Sequence, residues 1–179
     1  KGKFTYSFIN FDYLVDAPIE IGNHEEFEFK AGGTKHKVAI YGDGNYDIDT
    51  LKRDMAKVCQ SATEIFGENP NKEYLFIIHN LTVGSGGLEH INSTTLQVNR
   101  NTYEGGKYKG FLNLVAHEYF HLWNVKRIRP IALGPFDYHK ENYTKSLWVA
   151  EGITSYYDEL ALMRAGIVDR EHFLRVVAS

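Results

Sequence analysis

A chain of 179 residues with 43% hydrophobic and 14% aromatic content can bury one sizeable core, which excludes intrinsic disorder and makes a single domain the expectation. Its 23 acids against 20 bases leave a net charge of −3, so no global field draws it to nucleic acid or an anionic membrane. The single cysteine, Cys59, cannot form an internal disulfide, and no apolar run reaches the roughly 20 residues that a bilayer span needs.

Phe4 to Tyr13 alternates aromatic and polar residues as a half-buried strand does, with Asp16-Ala17-Pro18 closing it. Phe27 to Phe29 and Lys35 to Tyr41 read as two further strands, joined through Ala31-Gly32-Gly33. After the loop Gly42 to Asn45 the period changes. Leu51, Met55, Val58, Ala62, Ile65 and Phe66 recur at three and four, an amphipathic helix from Asp49 to Gly67 in which Cys59 is a small packed residue. A turn at Gly67 to Asn71 leads into Tyr74-Leu75-Phe76-Ile77-Ile78, whose continuous apolar character predicts a central strand.

Val83 to His90 is glycine-rich and by composition alone is a flexible loop. The strand that follows, Ile91 to Val98, is placed to be an exposed edge that pairs with an extended peptide. Gly86 and Gly87 let backbone approach a ligand closely, and Glu89 becomes a charge aimed into the cleft.

The apolar run Phe111 to Trp123 contains His117-Glu118-Tyr119-Phe120-His121. On a helix, His117 and His121 share one face and can hold one ion from consecutive turns, which is half of a zinc site. Glu118 points about 100 degrees round the helix, beside the metal rather than on it. A carboxylate there can act as general base toward a water that the metal acidifies. Two histidines on a helix are commonly satisfied core or surface groups. Three ionisable groups in five residues of a strongly apolar helix need partners, however, and a metal supplies them. A third ligand is then required, and Glu151, opening a second helix from Ser146 to Arg164, is the best candidate. Asp158 or Ser155 near the same face can accept the N–H of a ligand histidine.

Between the two helices lies the long loop Asn124 to Tyr143, read as a wall of the cleft. Lys126, Arg127 and Arg129 within it either cap the carbonyls at the end of the preceding helix or contact substrate. Asp169 caps a last amphipathic helix with Phe173, Leu174, Val176 and Val177 on its apolar face. The chain begins at Lys1 without a methionine and stops inside that helix, so a fragment of a longer protein is expected. Sequons at Asn80, Asn92 and Asn142 matter only in a secretory host. Strands first and helices after argue an α+β architecture, a mixed sheet with the site in the groove between sheet and helices.

HEYFHLWNVKRIRP (His117 to Pro130), PFDY (Pro135 to Tyr138), YTKSLWVAEGITSYYDEL (Tyr143 to Leu160) and GGLEH (Gly86 to His90) together resemble the glycyl aminopeptidase family of zinc peptidases, which are gluzincins with thermolysin-like catalytic domains. The resemblance implies that residues 1–179 form a metallopeptidase catalytic domain in which His117, His121 and Glu151 bind one zinc ion and Glu118 is the base. It also implies that Glu89, on the glycine-rich stretch with Gly86 and Gly87, binds the free amino group of a peptide substrate, with Gly or Ala preferred at that residue. A β-rich N-terminal domain and a PDZ-like domain are implied in the full-length parent, outside these residues. Twenty-nine residues separate His121 from Glu151, more than in the compact gluzincins. The oxyanion-steadying residue is Tyr143, His139 or a residue beyond Ser179. The expected function is zinc-dependent hydrolysis of N-terminal peptide bonds; an endopeptidase with the same site and a zinc-stabilised peptide-binding module are the alternatives. Nothing in the residues fixes a compartment, and a periplasmic or secreted parent is compatible with them.

Overall fold

A computed structural model describes residues 5–179. Phe4, the first residue of the expected N-terminal strand, lies outside them. The rest of that stretch is not a strand: it is irregular to Asn10, then forms a single helical turn, α1 (Phe11–Val15), with Asn10 Oδ1 accepting the Tyr13 N–H at 3.1 Å. The aromatic alternation misleads because it faces no core. Ile9 is 82% exposed and Phe11 58%, so no buried face selects an extended backbone.

The remaining strands build a five-stranded mixed sheet in the order β1-β2-β3-β5-β4. β1 (Glu25–Ala31) and β2 (Thr34–Tyr41) form a hairpin around Gly32 and Gly33, both at positive φ, as a two-residue connection of this hand requires. β3 (Glu73–Leu81), the continuous apolar run, lies at the centre, parallel to β2 on one side and to β5 (Ser93–Asn99) on the other. The glycine-rich stretch is itself a strand, β4 (Gly86–Glu89), antiparallel to β5 with Glu89 opposite Thr94. The exposed edge is therefore β4, not the strand after it. A tight turn, closed by the His90 N–H on the Ser93 carbonyl at 2.8 Å, folds the glycine segment back onto its neighbour.

α2 (Ile48–Phe66) starts where Asp47 accepts the Thr50 N–H and stops at Gly67 with φ 87. Its buried residues Leu51, Met55, Val58, Cys59 and Ala62 face the sheet. α3 (Gly105–Phe120) packs beside it, burying Phe111, Leu112, Val115, Ala116 and Tyr119. The apolar run continues to Trp123, but the helix ends three residues earlier with His121 as its C-cap. The expected helix Ser146 to Arg164 is divided into a π-helical turn (Trp148–Gly152) and α4 (Ile153–Arg164); α5 (Arg170–Val177) follows, capped by Asp169. No helix among the described residues is long and apolar enough to cross a membrane.

Tyr119, inside the HEYFH segment, fastens α3 to the sheet. Its hydroxyl lies 2.9 Å from His36 Nε2 and takes the Asn69 side-chain N–H at 2.6 Å. His36 is fully buried, stacked on Phe29 at 4.7 Å between ring centres. Burial pushes its pKa down to about 4. The unfolded chain then binds a proton that the folded chain refuses, so stability contributed by neutral His36 is present above about pH 6.5 and lost as pH falls toward 4. We expect His36→Phe, which keeps the stack, to remove up to roughly 3 kcal/mol of this acid sensitivity. Urea unfolding of both proteins at a series of pH values reads it; an unchanged pH slope in the variant contradicts the assignment.

Candidate active site

α3 delivers His117 from its last turn and His121 from its C-cap, with the two ring centres 4.7 Å apart and the planes nearly perpendicular at 86°. The π-helical turn delivers Glu151 to both of them. Glu151 Oε2 lies 3.2 Å from His117 Nε2 and 3.5 Å from His121 Nε2. One donor atom from each of the three lies within 4.8 Å of the others.

The far sides of both rings are held. His117 Nδ1 donates to Asp158 Oδ2 at 2.8 Å, and Asp158, 2% exposed, is steadied by the Asn113 side-chain N–H at 3.1 Å. Of the two residues expected as acceptors, Asp158 makes this bond while Ser155 is exposed to solvent. Burial by itself lowers the His117 pKa, but the bond and charge of Asp158 outweigh it and hold the pKa above its ordinary value. His121 Nδ1 donates to the backbone carbonyl of Asn124 at 2.8 Å. With both Nδ1 protons engaged outward, both Nε2 atoms face the Glu151 carboxylate, and when deprotonated they offer their lone pairs there to a metal. Two imidazoles and a carboxylate at such spacing are a donor set that suits zinc and leaves one tetrahedral position open.

Glu118 stands beside this trio and is 5% exposed, with Oε2 making no hydrogen bond. An orphaned carboxylate oxygen buried at such a place is costly unless something else completes it. The Glu118 pKa is raised to about 7, chiefly by burial, with His117 lowering it and the charges of Glu89 and Glu151 adding to the rise. Glu89 comes in from the edge strand, and donor atoms of Glu89, Glu118 and His121 also lie within 4.8 Å of one another. The structure thus gathers His117, Glu118, His121 and Glu151 with Glu89. A Cβ on Gly87 would lie 2.5 Å from the Glu118 Cγ and Cδ, so Gly87 makes room for the Glu118 side chain, whereas Gly86 has open space and a φ of 140.

The basic residues after α3 turn out to fasten the chain. Lys126 pairs with Asp16 at 2.6 Å, and Arg127 donates to the carbonyls of Leu122 and Ile91 and to Asn71 Oδ1. Arg129, with Pro135, Phe136 and Tyr138 from the same loop, lines a cavity of about 420 Å³ shared with α1. The loop is a wall, though none of His117, His121 and Glu151 lines that cavity. Tyr143 is exposed with its hydroxyl on Glu141, and His139 is exposed with its backbone N–H on Asp137, so no bond joins either to the trio. Sequence reading passed over Asn124 and Thr154, both buried behind His121; the only signal was a polar residue just past the end of an apolar helix.

Residues 110–179, which hold the two histidines, Glu118 and Glu151, match the model of the M61 glycyl aminopeptidase family. This is a zinc peptidase family. A crystal structure of an aminopeptidase N family protein from Idiomarina loihiensis is similar over 86% of this chain at 38% identity, with a TM-score of 0.80. A two-domain M1 zinc metallopeptidase variant, crystallised with L-arginine, shares the fold over 83% of this chain at 14% identity and a TM-score of 0.55. The chain spans 27% and 30% of the lengths of these two proteins. No curated protein matches it. The family match, the peptidase character and the mixed α+β fold thus agree with the resemblance read from the motifs.

Gly87 gives the close approach of β4 to Glu118 a direct test. Gly87→Ala must displace Glu118 or the strand, and we expect a loss of ~1–3 kcal/mol in urea unfolding. An unfolding midpoint equal to wild type would show that the contact is slack.

Proposed function

We propose that this chain is the catalytic domain of a longer zinc-dependent aminopeptidase with a thermolysin-like site. The observation that supports it most is the convergence of His117, His121 and Glu151 on one point with Glu118 and Glu89 ranged beside it. Zinc, when bound by these three residues, polarises the scissile carbonyl and lowers the pKa of water.

The chain's own residues do the rest. Glu118 takes a proton from the attacking water as the carbon–oxygen bond forms, then passes it to the leaving amine as the carbon–nitrogen bond breaks. A carboxyl whose pKa burial has brought to about 7 can do both near neutral pH. Glu89 pairs with the free ammonium of the substrate, a charge that an internal peptide bond cannot offer in exchange for burying the carboxylate. The outer side of β4 is an open sheet edge, free to pair with extended peptide backbone while Glu89 holds its first residue. Preference for Gly or Ala at that residue belongs to the same reading, as does a PDZ-like domain elsewhere in the parent protein.

Elemental analysis of the purified protein should find near one zinc per chain, much reduced in Glu151→Ala. Glu118→Gln should keep the zinc and lower turnover of amino-acid anilides at least ~100-fold. Retained turnover in that variant removes Glu118 from the role. Acetylating the N-terminus of a peptide substrate should abolish its cleavage; cleavage of the blocked peptide would instead support an endopeptidase using the same residues.

A further inference from the structure

The two halves of the trio sit on separate elements, His117 and His121 on α3 and Glu151 on the π-helical turn, with 29 residues between His121 and Glu151. Asn124 joins them behind the site. Its backbone carbonyl takes the His121 Nδ1 proton at 2.8 Å. Its side-chain amide donates to the carbonyls of Val149 at 3.0 Å and Ala150 at 3.1 Å, the two residues before Glu151, and lies 3.0 Å from Thr154 Oγ1. Thr154 in turn sends its hydroxyl proton to the Ala150 carbonyl at 2.7 Å, so its oxygen is left as an acceptor. Asn124 is 6% exposed and Thr154 fully buried, so water does not substitute for these bonds.

The arrangement has two further signs of a purpose. A π turn widens the helix locally, and the Asn124 amide is an added donor to the carbonyls of two of its residues, Val149 and Ala150. The chain also accepts strain to place Asn124. The next residue, Val125, is β-branched yet holds φ 148, locked by the Lys126 N–H on the His121 carbonyl and the Ile128 N–H on the Trp123 carbonyl.

We infer that Asn124 is a positioning residue for the metal site, a single side chain that orients His121 through its carbonyl and sets Glu151 through its amide. The inference rests on the zinc reading above. Asn124 is buried behind His121; its effect is on how well the three donors are pre-arranged, hence on metal affinity.

The test is competition for zinc against a chromophoric chelator, with thermal unfolding of zinc-free and zinc-loaded protein beside it. Asn124→Ala should weaken zinc binding ~10–100-fold. Asn124→Asp, the same shape with an oxygen facing the Val149 and Ala150 carbonyls, should do no better than alanine. Tyr103→Phe is the comparison, because it removes an equally buried bond, from the Tyr103 hydroxyl to Asn80 at 2.6 Å, away from the trio. It should lower the melting temperature of both forms together and leave zinc affinity unchanged. In Asn124→Ala, by contrast, the rise in melting temperature that zinc confers should shrink.

Asn124→Ala with wild-type zinc affinity overturns the inference, whatever its melting temperature. If that variant does not fold, Asn124→Ser, too short to reach the Val149 and Ala150 carbonyls, decides: a several-fold loss of zinc affinity supports the inference and an unchanged affinity overturns it. Wild-type protein that takes up no zinc overturns the zinc reading and this one together, whereas wild type that binds beside an equal Asn124→Ala overturns only this one.

Discussion

The site depends on where two imidazole protons go. Each histidine can turn either nitrogen outward, and only when both Nδ1 protons are taken up from behind do both Nε2 atoms meet Glu151. Asp158 takes one and the Asn124 carbonyl the other. These acceptors differ in kind: a buried carboxylate strengthens and charges the His117 bond, while His121 is held by a neutral backbone carbonyl at the same 2.8 Å. The end of α3 at Phe120 follows from the same need. An α3 continued to Trp123, as its apolar run suggests, would tie up the backbone around Asn124 in helical bonds and remove the turn that brings that carbonyl to His121.

The sheet contributes through contact rather than through ligands. Tyr119 fastens the histidine-bearing helix to β2 through His36, so the histidines keep their height above the sheet. At the far edge, β4 lies against Glu118, and the missing side chain at Gly87 is what permits it. Burial of Glu118 is a consequence of this packing, and its raised pKa is a consequence of burial. Base strength is therefore set by a glycine on a neighbouring strand as much as by any charge.

Much of this was legible in the residues and some was not, for physical reasons. The helix Ile48–Phe66, the central strand and the helix carrying the histidines were readable because each buries one continuous face, which writes a period into the sequence. His117, Glu118, His121 and Glu151 were readable because ionisable groups among apolar ones need a reason to be there. The N-terminal aromatics carried the strand period without a core to face, and an Asn cap settled them into a helical turn. The glycine-rich stretch hid a strand because its pairing with β5 is non-local and glycine has no β-propensity to announce it. The π turn was invisible for a similar reason. It meets the side chain of Asn124, more than twenty residues away, and no local pattern encodes that contact.

Charge closes the account. Three carboxylates, Glu89, Glu118 and Glu151, meet two imidazoles in a small volume, and the mutual repulsion shows in the lift that Glu89 and Glu151 give to Glu118. Left alone, such a cluster favours its own neutralisation, with Glu118 holding a proton near neutral pH. Under the proposed function, a divalent cation held by the trio and an ammonium held by Glu89 would bring three positive charges to three negative ones. Each then makes the other's site more favourable, because each relieves the same crowded carboxylates. On this reading the acid-rich pocket is not a poor place to bury Glu118. It is balanced only when metal and substrate amine are both present, which ties the free proton-accepting form of the base to the loaded site.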